Sequence, residues 1–286
     1  MTFTTRFAPS PTGPLHLGHA YSALLAYDMA EARNGTFLLR IEDIDQTRAR
    51  DHWESQIYDD LSWLGMSWPE PVLRQSDRMS FYAQALDILW EQGLLYVCDC
   101  TRRDVETALS APQEGVPRYG PDGFIYPGTC RSRHLRTGPR STGKALRLDM
   151  AEAMRHLLAP LSYDETGLNP GIITGHNLVR TMGDIVLARR DMGTSYHLSV
   201  VVDDAAQGIS DVVRGADLAE ATIIHVLLQK LLDLPTPTYH HHRLIRDDAG
   251  KRLAKRDDAR AIAKYRSDGA TPDDIRDMVD LRPSLI

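Results

Sequence analysis

Between Arg6 and His19 the chain reads Arg-Phe-Ala-Pro-Ser-Pro-Thr-Gly-Pro-Leu-His-Leu-Gly-His, and this stretch restricts the possible folds more than any other. Thr4 to Ala8 has the character of a short buried strand. Pro9, Pro11, Pro14 and Gly13 then impose a rigid turn that continues neither strand nor helix. A helix is expected at once, because Leu17, Tyr21, Leu24 and Leu25 recur at helical spacing and Asn34-Gly35 is a left-handed stop signal. His16 and His19 therefore sit at a helix mouth, where unpaired N–H groups and the positive end of the dipole favour phosphate. Two imidazoles flanking Gly18 suit a nucleotide: the rings donate to phosphate oxygens, and a base or sugar rests where no side chain intrudes. Taken alone, a His-x-x-His pair is also what a chance helix start or half a metal site presents.

A chain of 286 residues buries a sizeable core, as one large domain or two modest ones. Its 25% charged and 42% hydrophobic residues are ordinary for a globular protein. The first residues lack the basic start and apolar run of a signal peptide, and no apolar stretch reaches membrane-spanning length. A cytoplasmic protein with no membrane partner is expected. The net charge of −6 argues against a generic nucleic-acid coat, because non-specific binding is mostly phosphate neutralisation. Local basic runs remain, one from Arg131 through Arg133, Arg136, Arg140 and Lys144 to Arg147, another from Lys251 to Arg260. A solvated face explains either run equally well. Three cysteines in this length make no disulfide framework, which leaves metal binding or plain burial.

After the first helix, Thr36 to Ile41 reads as a strand, with Ile41 toward the core and Arg40 and Glu42 on the other side. Glu42 thus emerges at a strand's carboxyl end, where α/β sheets bind ligands, and is the candidate to grip an ammonium group. A surface salt bridge with Arg40 or Arg48 is its plainer alternative. Residues 51 to 95 read as two helices, with Trp53, Ile57, Leu61 and Leu64 on one stripe and Phe81, Ala85, Ile88 and Leu89 on the next. Strand–helix–strand units with a phosphate-type helix mouth predict an α/β fold with a doubly wound parallel sheet of the Rossmann type. The expected organisation is a first half-domain at 1–95, an insertion at 96–144, a second half-domain at 145–239 and a short C-terminal helical segment at 240–286. Ala145 to Asp149 is expected to re-enter the main sheet. Asp184 to Gly193 reads as strand and turn, and Thr194 to Asp204 enters an apolar, β-branched run. Asp217 and Glu220 resemble a capping box for a helix carrying Leu218, Ile223, Val226, Leu227 and Leu231. His240, His241 and His242 belong to a strand, whose alternation keeps them from converging on one ion. Thr271-Pro272 opens a last small helix.

The run from Arg6 to Gly13 leading into His16-Leu17-Gly18-His19 resembles the opening of the class I glutamyl-tRNA synthetases, whose HIGH signature the four residues would represent. The resemblance extends over nearly the whole chain. It implies that Tyr196, in a Tyr-x-Leu segment, and Arg214, in a Val-Arg-Gly segment, contact glutamate together with Arg6, Ala8, Ser10 and Glu42. It also implies that Arg252-Leu253-Ala254-Lys255-Arg256 is a KMSKS-like loop, altered at four of its five positions but keeping Lys255. Catalysis would then fall to His16, His19 and Lys255, with ATP held by His16, Gly18, His19 and Lys255 and accompanied by Mg²⁺. Cys98, Cys100, Tyr126 and Cys130 match the small zinc site of the glutamyl-Q tRNA(Asp) synthetase family, with Tyr126 as an unusual fourth ligand to Zn²⁺ and His134 as its conventional rival. The chain stops where a full glutamyl-tRNA synthetase continues into anticodon-binding domains. The resemblance therefore implies a truncated paralogue acting on ATP, L-glutamate and the queuosine base of tRNA(Asp), as a monomer that activates glutamate without tRNA. Acylation of a tRNA 3′ end, a small-molecule adenylyltransferase and a silent glutamate- or RNA-binding paralogue are the alternatives.

Overall fold

Strand β1 (Thr4–Phe7) ends where the prolines begin, and helix α1 (Leu17–Glu31) starts as soon as they are over. The computed structural model describes residues 2–110, 118–121, 123–133, 136–246 and 260–281. After α1, Asn34 takes a left-handed φ of 48°, as expected of the stop signal. Gly35 is required for a different reason: a Cβ there would lie 2.3 Å from the Phe3 carbonyl oxygen. Strand β2 (Thr36–Ile41) returns parallel to β1, with Arg6 opposite Leu38. Helix α2 (Asp51–Trp63) then leads to β3 (Leu73–Arg74), also parallel to β2.

Helix α3 (Met79–Glu91) buries Tyr82, Ala85, Leu86, Leu89 and Trp90. Phe81 and Ile88, placed on the inner stripe by sequence, are each 46% exposed. The helix is rotated from that expectation because the Tyr82 hydroxyl donates to buried Asp203 at 2.7 Å, which settles the face that turns inward. In α2 the expected stripe holds, with Ile57 and Leu61 buried.

Strand β4 (Leu95–Cys98), helix α4 (Arg102–Ser110), the short hairpin of β5 (Tyr119–Gly120) and β6 (Gly123–Phe124), and β7 (Ala145–Leu148) follow. Next come α5 (Met150–His156), β8 (Ser162–Glu165), β9 (Gly171–Thr174), α6 (Leu178–Thr181) and β10 (Val186–Ala188). Strand β7 does not re-enter the parallel sheet. It pairs antiparallel with β4, Leu95 opposite Leu148, and with β10 on its other side. The apolar runs flanking residues 99–144 thus zip to each other and close the base of that segment.

The β-branched run after Gly193 is a helix, α7 (Tyr196–Ala206), capped by Ser195 Oγ accepting from Leu198 N–H. Helix propensities differ by only tenths of a kcal/mol per residue, roughly 0.7 at most outside Gly and Pro. Contacts made by the helix outweigh that: its buried Asp203 accepts from Gln75, Arg78 and Tyr82, and Asp204 from Arg6 and Arg40. Strand β11 (Asp211–Gly215) runs beside β1, with Ser210 N–H donating to the Thr4 carbonyl. The capping box expected at Asp217 and Glu220 is absent; a 3₁₀ turn at Ala216–Leu218 precedes α8 (Thr222–Leu231), which has no side-chain cap. The first-turn hydroxyl, on Thr222, is engaged with Arg214 and the Leu218 carbonyl instead. Strand β12 (Thr238–His242) lies parallel to β11 and touches β8 in parallel register, Tyr239 opposite Glu165. The sheet is therefore parallel through its centre, with β9 antiparallel at one edge. Helices α9 (Ile262–Ser267) and α10 (Pro272–Met278) end the described chain, the latter with the Thr271–Asp274 capping box. Ile262 N–H donates to the Leu15 carbonyl at 2.9 Å, which brings the chain after residue 259 back to the mouth of α1.

Candidate active site

A cavity of about 450 Å³ opens at the carboxyl ends of β1, β2 and β11, the position at which parallel α/β sheets bind ligands. Arg6, Ala8 and Ser10 enter it from β1 and the turn, and His16, Gly18 and His19 from the start of α1. Glu42 enters from the end of β2, Tyr196 from the start of α7 and Arg214 from β11. The topology thus gathers into one cavity residues that span more than 200 positions of sequence. Lys255 and the rest of the KMSKS-like run lie outside the described residues, as does His134.

The two histidines form a capping box at the start of α1, His16 as the residue before it and His19 in its first turn. His16 Nδ1 accepts from Gly18 N–H at 3.1 Å, and His19 Nδ1 accepts from His16 N–H at 3.1 Å. With both Nδ1 lone pairs engaged, each neutral ring carries its proton on Nε2, so the pair presents donors. The rings stack with centroids 3.7 Å apart. Gly18 keeps that stack open, since a Cβ would come within 3.1 Å of His16 Cε1.

Around Arg6 and Glu42 lie charges that sequence reasoning missed. Arg6 donates to Asp204 through Nε at 2.9 Å and Nη2 at 3.2 Å, so one edge of its guanidinium is committed inside the protein. Arg40, fully buried rather than on a surface, donates to the same carboxylate at 2.7 Å and lies 3.4 Å from Glu42. Burial raises Asp204, but the Arg6 and Arg40 guanidiniums outweigh it and hold the carboxyl below its ordinary range. Burial raises Glu42, against the pull of Arg40 and Arg6. Of the plain alternatives for Glu42, the pair with Arg40 forms but is buried and not at the surface, and Arg48 pairs with Asp45 instead. Two acidic residues closing an apolar run, Asp203-Asp204, were the available signal.

Arg214 is held differently. Its Nε donates to His241 Nε2 at 3.2 Å, Nη1 to His225 Nδ1 at 3.1 Å and Nη2 to Thr222 Oγ1 at 2.7 Å. The consecutive histidines diverge as strand alternation requires: His240 meets Thr166, His241 meets Glu165 and Arg214, and His242 meets Ser22.

The three cysteine sulfurs lie within 4.8 Å of one another. Tyr126, nearly fully buried, places its oxygen 3.5 Å from Cys98 Sγ and 3.3 Å from Cys100 Sγ, and accepts from Cys130 N–H at 2.9 Å. Arg147 donates to Cys98 Sγ at 3.3 Å and covers the Tyr126 ring at 3.9 Å. Burial pushes the Cys100 thiol up to about 11, whereas hydrogen bonds, the Tyr126 hydroxyl's foremost, overcome burial at Cys130 and bring it to about 7. Three converging thiols and a phenol oxygen, with a cation behind one sulfur, fit a tetrahedral metal. The basic run beside them is largely internal: Arg131, Arg136 and Arg140 pair with Asp184, Asp149 and Asp87.

A helix mouth carrying two histidines, together with an acidic side chain and two guanidiniums in one α/β cavity, suits a nucleotide-dependent amino-acid ligase. The family described as tRNA synthetases class I (E and Q), catalytic domain, matches residues 2–283. A glutamyl-Q tRNA(Asp) synthetase of Rhodobacter capsulatus is 60% identical over 281 residues, 97% of this chain and 99% of that one. Another, from Albidiferax ferrireducens, is 41% identical over 90% of this chain and 85% of its own. A solved glutamate tRNA ligase from Elizabethkingia meningosepticum, in complex with its amino acid, superposes with a TM-score of 0.74 at 26% identity. The match covers 95% of this chain and 59% of that one, so the chain spans about three-fifths of the length of the solved synthetase. The chain belongs to the class I tRNA synthetases for glutamate and glutamine, among the relatives called glutamyl-Q tRNA(Asp) synthetases. It is a ligase-type enzyme that activates glutamate. Among the described residues no helix is long and apolar enough to cross a membrane.

Proposed function

We propose that the enzyme uses ATP to activate L-glutamate as glutamyl-adenylate without needing tRNA and passes the glutamyl group to the queuosine base of tRNA(Asp), releasing AMP, as a cytoplasmic monomer. The observation that carries the first step is the sharing of one cavity by His16, Gly18 and His19 with Arg6, Glu42, Tyr196 and Arg214. The glutamate α-carboxylate, already ionised at neutral pH, attacks the α-phosphorus of ATP. A carboxylate oxygen–phosphorus bond forms, the bond to the bridging oxygen breaks, and pyrophosphate leaves. The reaction needs positioning and charge stabilisation more than a base. The Nε2–H groups of His16 and His19 donate to phosphate oxygens, with Lys255 and Mg²⁺ opposing the charge that builds on the leaving group. Arg214 and Arg6 receive the side-chain carboxylate, Glu42 the ammonium, and Ala8, Ser10 and Tyr196 border the remaining atoms. The acceptor rests on the relatives' names. Labelled glutamate is expected on queuosine-bearing tRNA(Asp) and not on the same tRNA without queuosine, and glutamate-dependent pyrophosphate exchange is expected without tRNA. Exchange that requires tRNA would favour acylation of a 3′ end, and no exchange at all would favour a silent binder.

The cysteine cluster is proposed as a structural Zn²⁺ site with Cys98, Cys100, Tyr126 and Cys130 as ligands. When bound, the ion ties the start of residues 99–144 to their middle. Purified Cys98→Ser protein is expected to retain less than about a tenth of the wild-type zinc, because a tetrahedral site short of one thiolate binds weakly. Tyr126→Phe is expected to lower zinc content as well. Elemental analysis showing wild-type zinc in both variants would overturn the assignment.

A further inference from the structure

The cavity's guanidiniums are not equivalent. Arg6 and Arg40 share Asp204, and Arg40 also faces Glu42, so this cluster of two cations and two carboxylates carries no net charge. Every partner of Arg214 among the described residues is formally neutral: two imidazoles, the Thr222 hydroxyl, the Leu218 carbonyl and the Tyr239 ring 5.2 Å below.

A guanidinium only donates, so the contacts dictate the tautomers of both rings. His225 Nδ1 must be the acceptor, which puts its proton on Nε2, 3.0 Å from His197 Nδ1. His241 is the reverse. Its Nε2 accepts from Arg214 and its proton lies on Nδ1, donated to Glu165. Glu165 is satisfied without Arg214, since it also accepts from the backbone N–H groups of His241 and Gly167 at 2.9 and 2.7 Å. Burial, and then Arg214 itself, keep His225 well below the ordinary imidazole range, and the same two causes lower His241. Carboxylates at these two positions would orient the guanidinium as well and cancel its charge. Imidazole lone pairs orient it and leave the charge intact.

We infer that His225 and His241 are positioning residues for substrate selection: they aim Arg214 while leaving its charge uncompensated and available to the side-chain carboxylate of the amino acid. This deepens the proposed reading of Arg214 and rests on it. Glutamine, bringing no charge, would leave that cation buried and unpaired, which is the discrimination such a site needs.

The test uses an isosteric pair on the full-length enzyme. His225→Gln keeps a neutral acceptor, and its KM for glutamate in pyrophosphate exchange is expected within about fivefold of wild type. His225→Glu has the same shape with a negative charge; its KM is expected to rise about 100-fold with kcat little changed, and its preference for glutamate over glutamine to collapse. Equal KM values for the two variants would overturn the inference, because a merely structural role does not distinguish them. Arg214→Ala is the control for the underlying reading. If it leaves KM unchanged, Arg214 does not bind the carboxylate and the proposed function fails with it; if it raises KM while His225→Glu does not, the positioning role alone fails. The tautomers are read on the wild-type protein by ¹⁵N NMR, so the inference stays testable if His225→Glu does not fold. The expected pattern is His225 protonated at Nε2 and His241 at Nδ1; a doubly protonated ring at either position at neutral pH would overturn it.

Discussion

Asp204→Ala is expected to destabilise the protein by about 3–5 kcal/mol, because it leaves buried Arg6 and Arg40 without the carboxylate that both contact. For a chain of this size that corresponds to a fall in Tm of on the order of 10 °C, measured by thermal unfolding followed by circular dichroism. Asp204→Asn retains the shape and one acceptor oxygen, so it is expected to lose less, but the two guanidiniums would then repel. The carboxyl sits below its ordinary range in the folded protein, so its contribution is present above the unfolded value of roughly 4 and disappears as the pH falls through the folded one. A Tm unchanged in Asp204→Ala at neutral pH would show that the cluster around Asp204 is not formed as described. The KM for glutamate is expected to rise in the same variant, since Arg6 loses the contact that fixes one edge of its fork.

Arg214→Ala is expected to reduce kcat/KM for glutamate about 100- to 1,000-fold, nearly all of it in KM. The reason is the loss of a charge-assisted contact in a site screened from water, for which the typical figure is about 3–4 kcal/mol, and every 1.4 kcal/mol is tenfold. Arg214→Lys is expected to recover only part of this. An ammonium keeps the charge, but it cannot donate at once to His225, His241 and Thr222 and still face a carboxylate in plane. Pyrophosphate exchange at varied glutamate concentration checks both variants. A fall confined to kcat would move Arg214 from substrate binding to the reacting phosphates.

The opening motif illustrates what was legible at the level of residues. Prolines and Gly13 forbid regular structure between Phe7 and Leu15, and His16 and His19 flank the helix start as their spacing implies. The capping role of their Nδ1 atoms was not legible, because it depends on ring rotamers at a bend whose dihedrals the sequence leaves open. The run around Val200 shows the opposite case. Local propensity pointed to a β-branched segment, yet two buried acids at its end are satisfied only when a helix delivers them to Arg6, Arg40, Arg78 and Tyr82.

By itself the sequence determined the α/β class, the turn after the first strand and the helix mouth suited to phosphate. These follow from local chemistry: where a backbone can turn, which faces are apolar, which side chains can donate or accept. The tertiary structure alone decided that Arg6 is neutralised by Asp204 and that Arg214 is held by neutral rings from β12 and α8. The electrostatic character of a buried cation depends on which partners surround it, and here those partners come from strands and helices brought together only by the fold.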